Sequence, residues 1–313
     1  MKKRIFSILI LAFLFSPGNL LAREVVTIQS GWKFSKGSNR LAYQKDFNDS
    51  KWETVSIPHD WAISGPFIED GDGSTGKLPW KGEAWYRNVL KVSKELEDKT
   101  IYLIFDGIMA FPKVYINGEL AGKWDYGYNS FYLDVTDFVV PSEDNIIAIH
   151  VDTRNHDSRW YPGAGIYRKI QMLSVDPVHV DIWGSYVTTP IIKMNYSDVR
   201  VAHEINNKSE SDKRNISVEN IIISPQGKEV ARKTEIMNIR ASEKKRTEVT
   251  FTLNRPEKWD INNPVLYKVK TLVSVDGKVV DEHITPFGVR SIRFTPDEGF
   301  YLNDRRVDRK SVV

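Results

Sequence analysis

Beyond its first 22 residues, the apolar side chains of this chain recur with period two in short runs, and long helical periodicity is absent. The alternation is plain in 100–106 (TIYLIFD), 113–117 (KVYIN), 145–151 (NIIAIHV), 198–205 (DVRVAHEI), 216–223 (ISVENIII), 246–253 (RTEVTFTL) and 266–275 (LYKVKTLVSV). Successive side chains of an extended strand point to opposite faces, so each run offers one apolar face. Sheets packed in pairs bury such faces, and the expected fold class is therefore all-β. Asn117-Gly118, between KVYI and ELAGK, has the chemistry of a two-residue hairpin. Pro225-Gln226-Gly227 and Asp276-Gly277 mark further turns.

Aromatic content divides the chain. Trp52, Trp61, Trp80, Trp85, Tyr86, Trp124, Tyr126, Tyr128, Trp160 and Tyr161 crowd the first part, whereas Trp259 is the sole tryptophan after Gly184. Residues 23–183 are expected to form a jelly-roll sandwich. Residues 184–287 have the size and strand spacing of an immunoglobulin-like sandwich of roughly seven strands. This part has no cysteine pair, so it is not of the antibody type. Residues 288–307 are too few for a domain and read as an unpaired hairpin opening something larger.

Lys and Arg total 44 against 41 Asp and Glu, a net charge of +3 over 313 residues. Lys2, Lys3 and Arg4 account for the whole excess, so no nucleic-acid or membrane-surface partner is expected. The absence of cysteine excludes disulfides, thiolate metal sites and cysteine nucleophiles. Residues 1–22 combine that basic start with an apolar run from Ile5 to Phe15, a Ser16-Pro17-Gly18 break and a small residue at Ala22. This is the pattern of a signal peptide. The run is too short for the ~20 residues of a membrane span, so no stable membrane anchor is expected. Export to a bacterial periplasm or exterior is the expected localisation.

HExxH, Walker and GxSxG motifs are absent, and the six histidines have no metal-binding spacing, so no metal site is expected. Seven local strings stand out instead. They are Ile57-Pro58-His59-Asp60-Trp61, Gly82-Glu83-Ala84-Trp85-Tyr86-Arg87, Phe105-Asp106-Gly107, Val114-Tyr115-Ile116-Asn117-Gly118, the run from Ser158 to Arg168 (SRWYPGAGIYR), Phe287-Gly288-Val289-Arg290 and Gly299-Phe300-Tyr301-Leu302-Asn303. In this order the chain resembles glycoside hydrolase family 2 over nearly all of residues 25–307, and most of all its bacterial beta-galactosidases.

The resemblance implies a galactose-binding-like jelly roll and an immunoglobulin-like sandwich, followed by a (β/α)8 barrel of which only the first residues, 288–307, are present. The barrel of this family carries both catalytic carboxylates of a retaining mechanism, two Glu ~5 Å apart. Both are expected beyond the C-terminus, so no residue of this chain is assigned a catalytic role. No cofactor is expected in this chain either, since a divalent or sodium ion would belong to the missing barrel. Residues 308–313 (DRKSVV) match the translation of a common sequencing-library adapter and are expected to be a non-native tail.

The implied function is that of the N-terminal, non-catalytic part of a hydrolase cleaving a terminal beta-galactoside of an oligosaccharide or glycan. Oligomer formation, if any, is expected of the full-length enzyme. The alternatives are a stand-alone carbohydrate-binding protein and a fragment of a beta-glucuronidase or beta-mannosidase of the same family. Loops of the jelly roll reach the mouth of the barrel in this family. Sugar recognition there needs polar groups that fork onto neighbouring hydroxyls beside an aromatic face. Asp157, Arg159 and Trp160 form one candidate set; the alternative is an Asp157–Arg159 structural ion pair with Trp160 as a packing wedge. Lys81 and Glu83 form a second candidate set. His59-Asp60-Trp61 is read as structural, and Phe105-Asp106-Gly107 as turn chemistry.

Overall fold

A computed structural model describes residues 22–307; the tail 308–313 and all but Ala22 of the expected signal segment lie outside the described residues. The first ten strands are β1 (Arg23–Thr27), β2 (Trp32–Lys36), β3 (Glu53–Val55), β4 (Glu83–Lys91), β5 (Thr100–Phe105), β6 (Lys113–Ile116), β7 (Glu119–Lys123), β8 (Phe131–Asp134), β9 (Asp144–Asp152) and β10 (Ile170–Val175). They form a four-stranded sheet, β1-β10-β5-β8, and a six-stranded sheet, β3-β2-β4-β9-β6-β7. Pairing of β1 with β10 brings the two ends of this unit together. Trp32, Phe34, Tyr86, Leu103, Phe105, Val114, Phe131, Ile147 and Ile149 fill the space between the sheets.

One strand departs from simple alternation. In β4, Ala84 to Arg87 are all buried. Tyr86 faces the inter-sheet core, while Trp85 lies on the outer face beneath Ala42, Tyr43 and Phe47. The segment 38–52 folds over that outer face, so both faces of the strand lose water.

The next seven strands are β11 (Val178–Ile192), β12 (Tyr196–Asn207), β13 (Lys213–Ile223), β14 (Glu229–Ile239), β15 (Glu243–Asn254), β16 (Tyr267–Val275) and β17 (Lys278–Phe287). They form the sheets β11-β12-β15 and β14-β13-β16-β17. β11 runs through the 183/184 position, with a bulge between Val180 and Ser185.

The core of this second sandwich is apolar at both ends and polar between them. One cluster contains Val199, Val201, Ile222, Phe251 and Val269; the other contains Ile205, Ile216, Val218 and Val273. On three strands the inward residue at the intervening depth is His203, Asn220 or Thr271, all buried. His203 Nε2 lies 2.8 Å from Asn220 Oδ1, Thr271 Oγ1 donates to Asn220 Oδ1 at 2.9 Å, and Ser185 Oγ lies 2.8 Å from His203 Nδ1. Burial pushes His203 below the ordinary histidine range, so it is neutral here. A one-residue slip would break this layer and expose every apolar residue of the strand, so it fixes the register.

The two sandwiches are tied by a buried ion pair. Arg23 donates to both oxygens of fully buried Asp281 at 2.9 Å each and to the Val180 carbonyl at 2.6 Å. Asp281 also accepts from the Val180 amide at 2.8 Å.

The segment expected as an unpaired hairpin is paired. β18 (Ile292–Thr295), β19 (Gly299–Leu302) and β20 (Arg305–Arg306) form a small sheet. Asn303 donates to the Trp259 carbonyl at 2.9 Å, and Arg305 pairs with Asp260 at 2.9 Å. The loop before β16 supplies the partners that the local sequence does not reveal.

Candidate functional site

Three of the seven strings singled out in the sequence, 57–61, 82–87 and 158–168, meet in one joint. The His59 amide donates to the Ile166 carbonyl at 2.7 Å, and the Trp61 amide donates to the Ala164 carbonyl at 3.0 Å. His59 Nδ1 lies 2.8 Å from the Tyr86 hydroxyl. Tyr161 donates to Asp60 Oδ1 at 2.7 Å, and the same oxygen accepts from the Ala62 amide at 3.0 Å. Burial lowers His59 and raises Tyr86, which leaves both neutral. The joint thus fixes the loop between β9 and β10, which carries Asp157, Arg159 and Trp160, against the loop leading into β4, which carries Lys81.

A cleft of about 330 Å³ opens where these two loops meet, lined among others by Lys36, Asp72, Trp80, Lys81, Asp157 and Ser158. Trp80, one of the lining residues, is 4% exposed and belongs to the core of the first sandwich, and the Lys81 ammonium sits 5.5 Å from the centre of its ring. Lys81 Nζ pairs with Asp157 Oδ1 at 3.0 Å, with the two side chains 52% and 94% exposed. An ion pair this exposed contributes under about 1 kcal/mol, so both groups can exchange each other for ligand hydroxyls. Asp72 also lines the cleft, and its carboxylate accepts from the Ser74 amide and hydroxyl at 2.8 Å each. Those two hydrogen bonds hold Asp72 below the usual carboxylate range.

The five sequence candidates do not all gather there. Lys81 and Asp157 come together across 76 residues of sequence. The Asp157–Arg159 pair held as an alternative does not form, because Lys81 takes Asp157; Arg159 is exposed one residue beyond the cleft wall. Trp160 is 58% exposed and donates from Nε1 to the Tyr128 hydroxyl at 2.8 Å. It makes an open aromatic surface with Tyr128 and Tyr126, not a packing wedge. Glu83 does not line this cleft. It lies on the outer face of the six-stranded sheet, where Oε2 meets His150 Nε2 at 3.0 Å and Oε1 accepts from Arg154 at 3.1 Å. Lys81 lies in the loop before β4 begins at Glu83, so the strand alternation does not bring them together.

Trp80, Lys36 and Asp72 were not singled out from the sequence, although Trp80 adjoins Lys81. Among the described residues no group of three or more His, Cys, Asp or Glu is placed to hold a metal ion.

Two family models match the chain. One, described as glycosyl hydrolase 2 galactose-binding domain-like, covers residues 59–161, and one described as glycosyl hydrolases family 2 covers residues 178–290. Beta-galactosidase BoGH2A of Bacteroides ovatus is 34% identical over 287 residues, which are 91% of this chain and 34% of that protein. A beta-glucuronidase of Formosa agariphila is 28% identical over 308 residues, 91% of this chain and 31% of that protein. Among solved structures, a glycosyl hydrolase family 2 member from Bacteroides cellulosilyticus matches with a TM-score of 0.84 and 30% identity, over 90% of this chain and 37% of that one. The structure of a beta-glucuronidase from glycoside hydrolase family 2 matches with a TM-score of 0.84 and 28% identity, over 91% and 32%. The chain therefore spans about a third of the length of these relatives.

Proposed function

Because the chain belongs to glycosyl hydrolase family 2, we propose that it is the exported, non-catalytic N-terminal part of a retaining glycosidase, and that its first sandwich helps to hold the terminal sugar, a beta-galactoside. The observation that carries this reading is that both sandwiches correspond, over 91% of the chain, to a third of a beta-galactosidase. The cleft beside Trp80 supports the sugar-holding role, since it carries two exchangeable charged groups where the two loops meet. Asp72, held low by its hydrogen bonds from Ser74, does not suit the part of a general acid, which needs a raised pKa. The segment 288–307 then reads as the approach to a catalytic barrel, and a divalent or sodium ion, where the parent uses one, belongs to that barrel.

A beta-glucuronide is the second reading. It is favoured by the two cations, Lys36 and Lys81, that border the cleft, and by the beta-glucuronidases among the relatives. A titration of the isotopically labelled chain with methyl β-D-galactoside separates the readings. The first expects amide shifts confined to 72–81 and 157–160, with a Kd of about 1 mM or weaker. Shifts in those segments with methyl β-D-glucuronide alone would favour the second reading. No shift there with either sugar would remove the cleft from substrate binding.

A further inference from the structure

The outer face of the six-stranded sheet is covered at one end by the segment 38–52 and open at the other. The open end holds a second cleft, of about 260 Å³, lined by Phe111, Lys113, His150, Asp152 and Asn155. It shares no lining residue with the cleft beside Trp80. His156 forms the partition between them, its ring edge-on to Trp80 at 5.8 Å on one side and to Phe111 at 6.2 Å on the other.

Strand register fixes what this cleft presents. Lys113 lies directly opposite His150 on β9 and directly opposite Lys123 on β7. Directly paired residues point to the same face, so Lys113 and Lys123 stand side by side. Like charges at such a position destabilise a sheet. Both lysines are exposed, and among the described residues neither side chain has a hydrogen-bond or ion-pair partner. The nearby carboxylates are engaged elsewhere. Asp152 pairs with Arg154 at 2.6 Å, and Glu83 is held between Arg154 and His150. Arg154 is shared by these two carboxylates, which leaves one negative charge on the wall against the two lysines, so the balance at the cleft is positive.

Phe111 supplies the apolar surface. The residue is 38% exposed, and its backbone has φ +48° immediately before Pro112, a conformation that a bulky residue rarely adopts. Hydrogen bonds on either side hold it there: the Asp152 amide donates to the Ala110 carbonyl at 2.9 Å and the Trp124 amide to the Pro112 carbonyl at 3.1 Å. Strain of this kind, held by its surroundings, concentrates at binding sites.

We infer that this second cleft is a binding site for a sugar ring bearing a carboxylate, a hexuronate. Phe111 takes the apolar face of the ring, Asn155 reads its hydroxyls, and the Lys113–Lys123 pair takes the carboxylate. The volume, about 260 Å³, lies just below the ~300 Å³ at which pockets for drug-sized ligands begin, which suits a single ring. The site is independent of which sugar the first cleft takes, and would add a second hold on an acidic glycan.

The test uses the labelled full chain and methyl β-D-glucuronide. Amides in 111–115 and 150–155 shift and saturate. The neutral methyl β-D-glucoside binds there about tenfold more weakly or less, and sodium acetate competes poorly, because charge and ring are both required. Lys113→Met weakens glucuronide binding about tenfold or more. Lys113→Glu abolishes it while the thermal midpoint stays equal or rises, since it replaces a repulsive pair by an attractive one. Equal binding of glucuronide and glucoside would overturn the charge assignment. Full competition by acetate would overturn the sugar. Shifts confined to 72–81 and 157–160 would overturn the site itself without touching the reading of the first cleft.

Discussion

Arg87→Met is expected to lower the unfolding free energy by about 3–5 kcal/mol, the cost of breaking a buried charged network from one side. The Arg87 side chain is 2% exposed. Nε donates to Asp49 Oδ2 at 2.8 Å, Nη1 donates to the carbonyls of Ala42 and Gln44, and Nη2 reaches those of Lys45 and Phe47. Met fills much of the volume but satisfies none of these acceptors. The segment 38–52 would lose its clamp, and water would reach Trp85 and Ala148 beneath it. Urea unfolding of the two proteins measures the difference. Arg87→Lys should recover only part of it, because one ammonium cannot reproduce a planar fork over five oxygens. A loss below about 1 kcal/mol for Arg87→Met would contradict this account of β4.

Gly165→Ala is expected to cost about 3 kcal/mol or more, through overpacking added to backbone strain. Gly165 has φ +117°, and a Cβ there would stand 2.3 Å from the Tyr86 hydroxyl and 2.8 Å from the His59 carbonyl oxygen. Neither the buried tyrosine nor the backbone carbonyl can move without opening the joint among His59, Tyr86 and Ile166. The loop carrying Asp157 would then lose its position, so sugar contacts should weaken together with stability. Gly227→Ala is the control. That glycine also has positive φ, at +79°, but meets nothing within 4 Å. It should cost only about 1–2 kcal/mol of strain. Equal losses at the two positions would show that close approach at Gly165 is unimportant.

The fold was legible where one face of a strand is buried. Val199, Val201, His203 and Ile205 alternate along β12, and Ile216, Val218, Asn220 and Ile222 alternate along β13; both strands form over those residues. What the alternation could not reveal is that His203, Asn220 and Thr271 lie at one depth, because that depends on pairing between distant strands. β4 was harder for the opposite reason. Its outer face is covered by a segment about 40 residues upstream, held by Arg87, and local sequence carries no sign of that cover. The candidate site was legible by loop but not by residue. Lys81 and Asp157 share a cleft; Glu83, two positions from Lys81, lies on the sheet's outer face because it is already inside the strand. Nothing local distinguishes Trp80, one of ten conspicuous aromatic positions, as a residue that borders a cleft.

The family membership places this chain beside glycosidases, and we propose that its own residues hold sugar without cleaving it. Aglycone release from aryl β-D-galactoside and aryl β-D-glucuronide by the purified chain tests this most directly. No turnover above the uncatalysed rate is expected with either substrate, at any pH between about 4 and 8, the range in which a carboxylate acid/base pair would operate. Turnover that a single Glu→Gln or Asp→Asn substitution abolishes would contradict it, because it would place a catalytic carboxylate within these sandwiches.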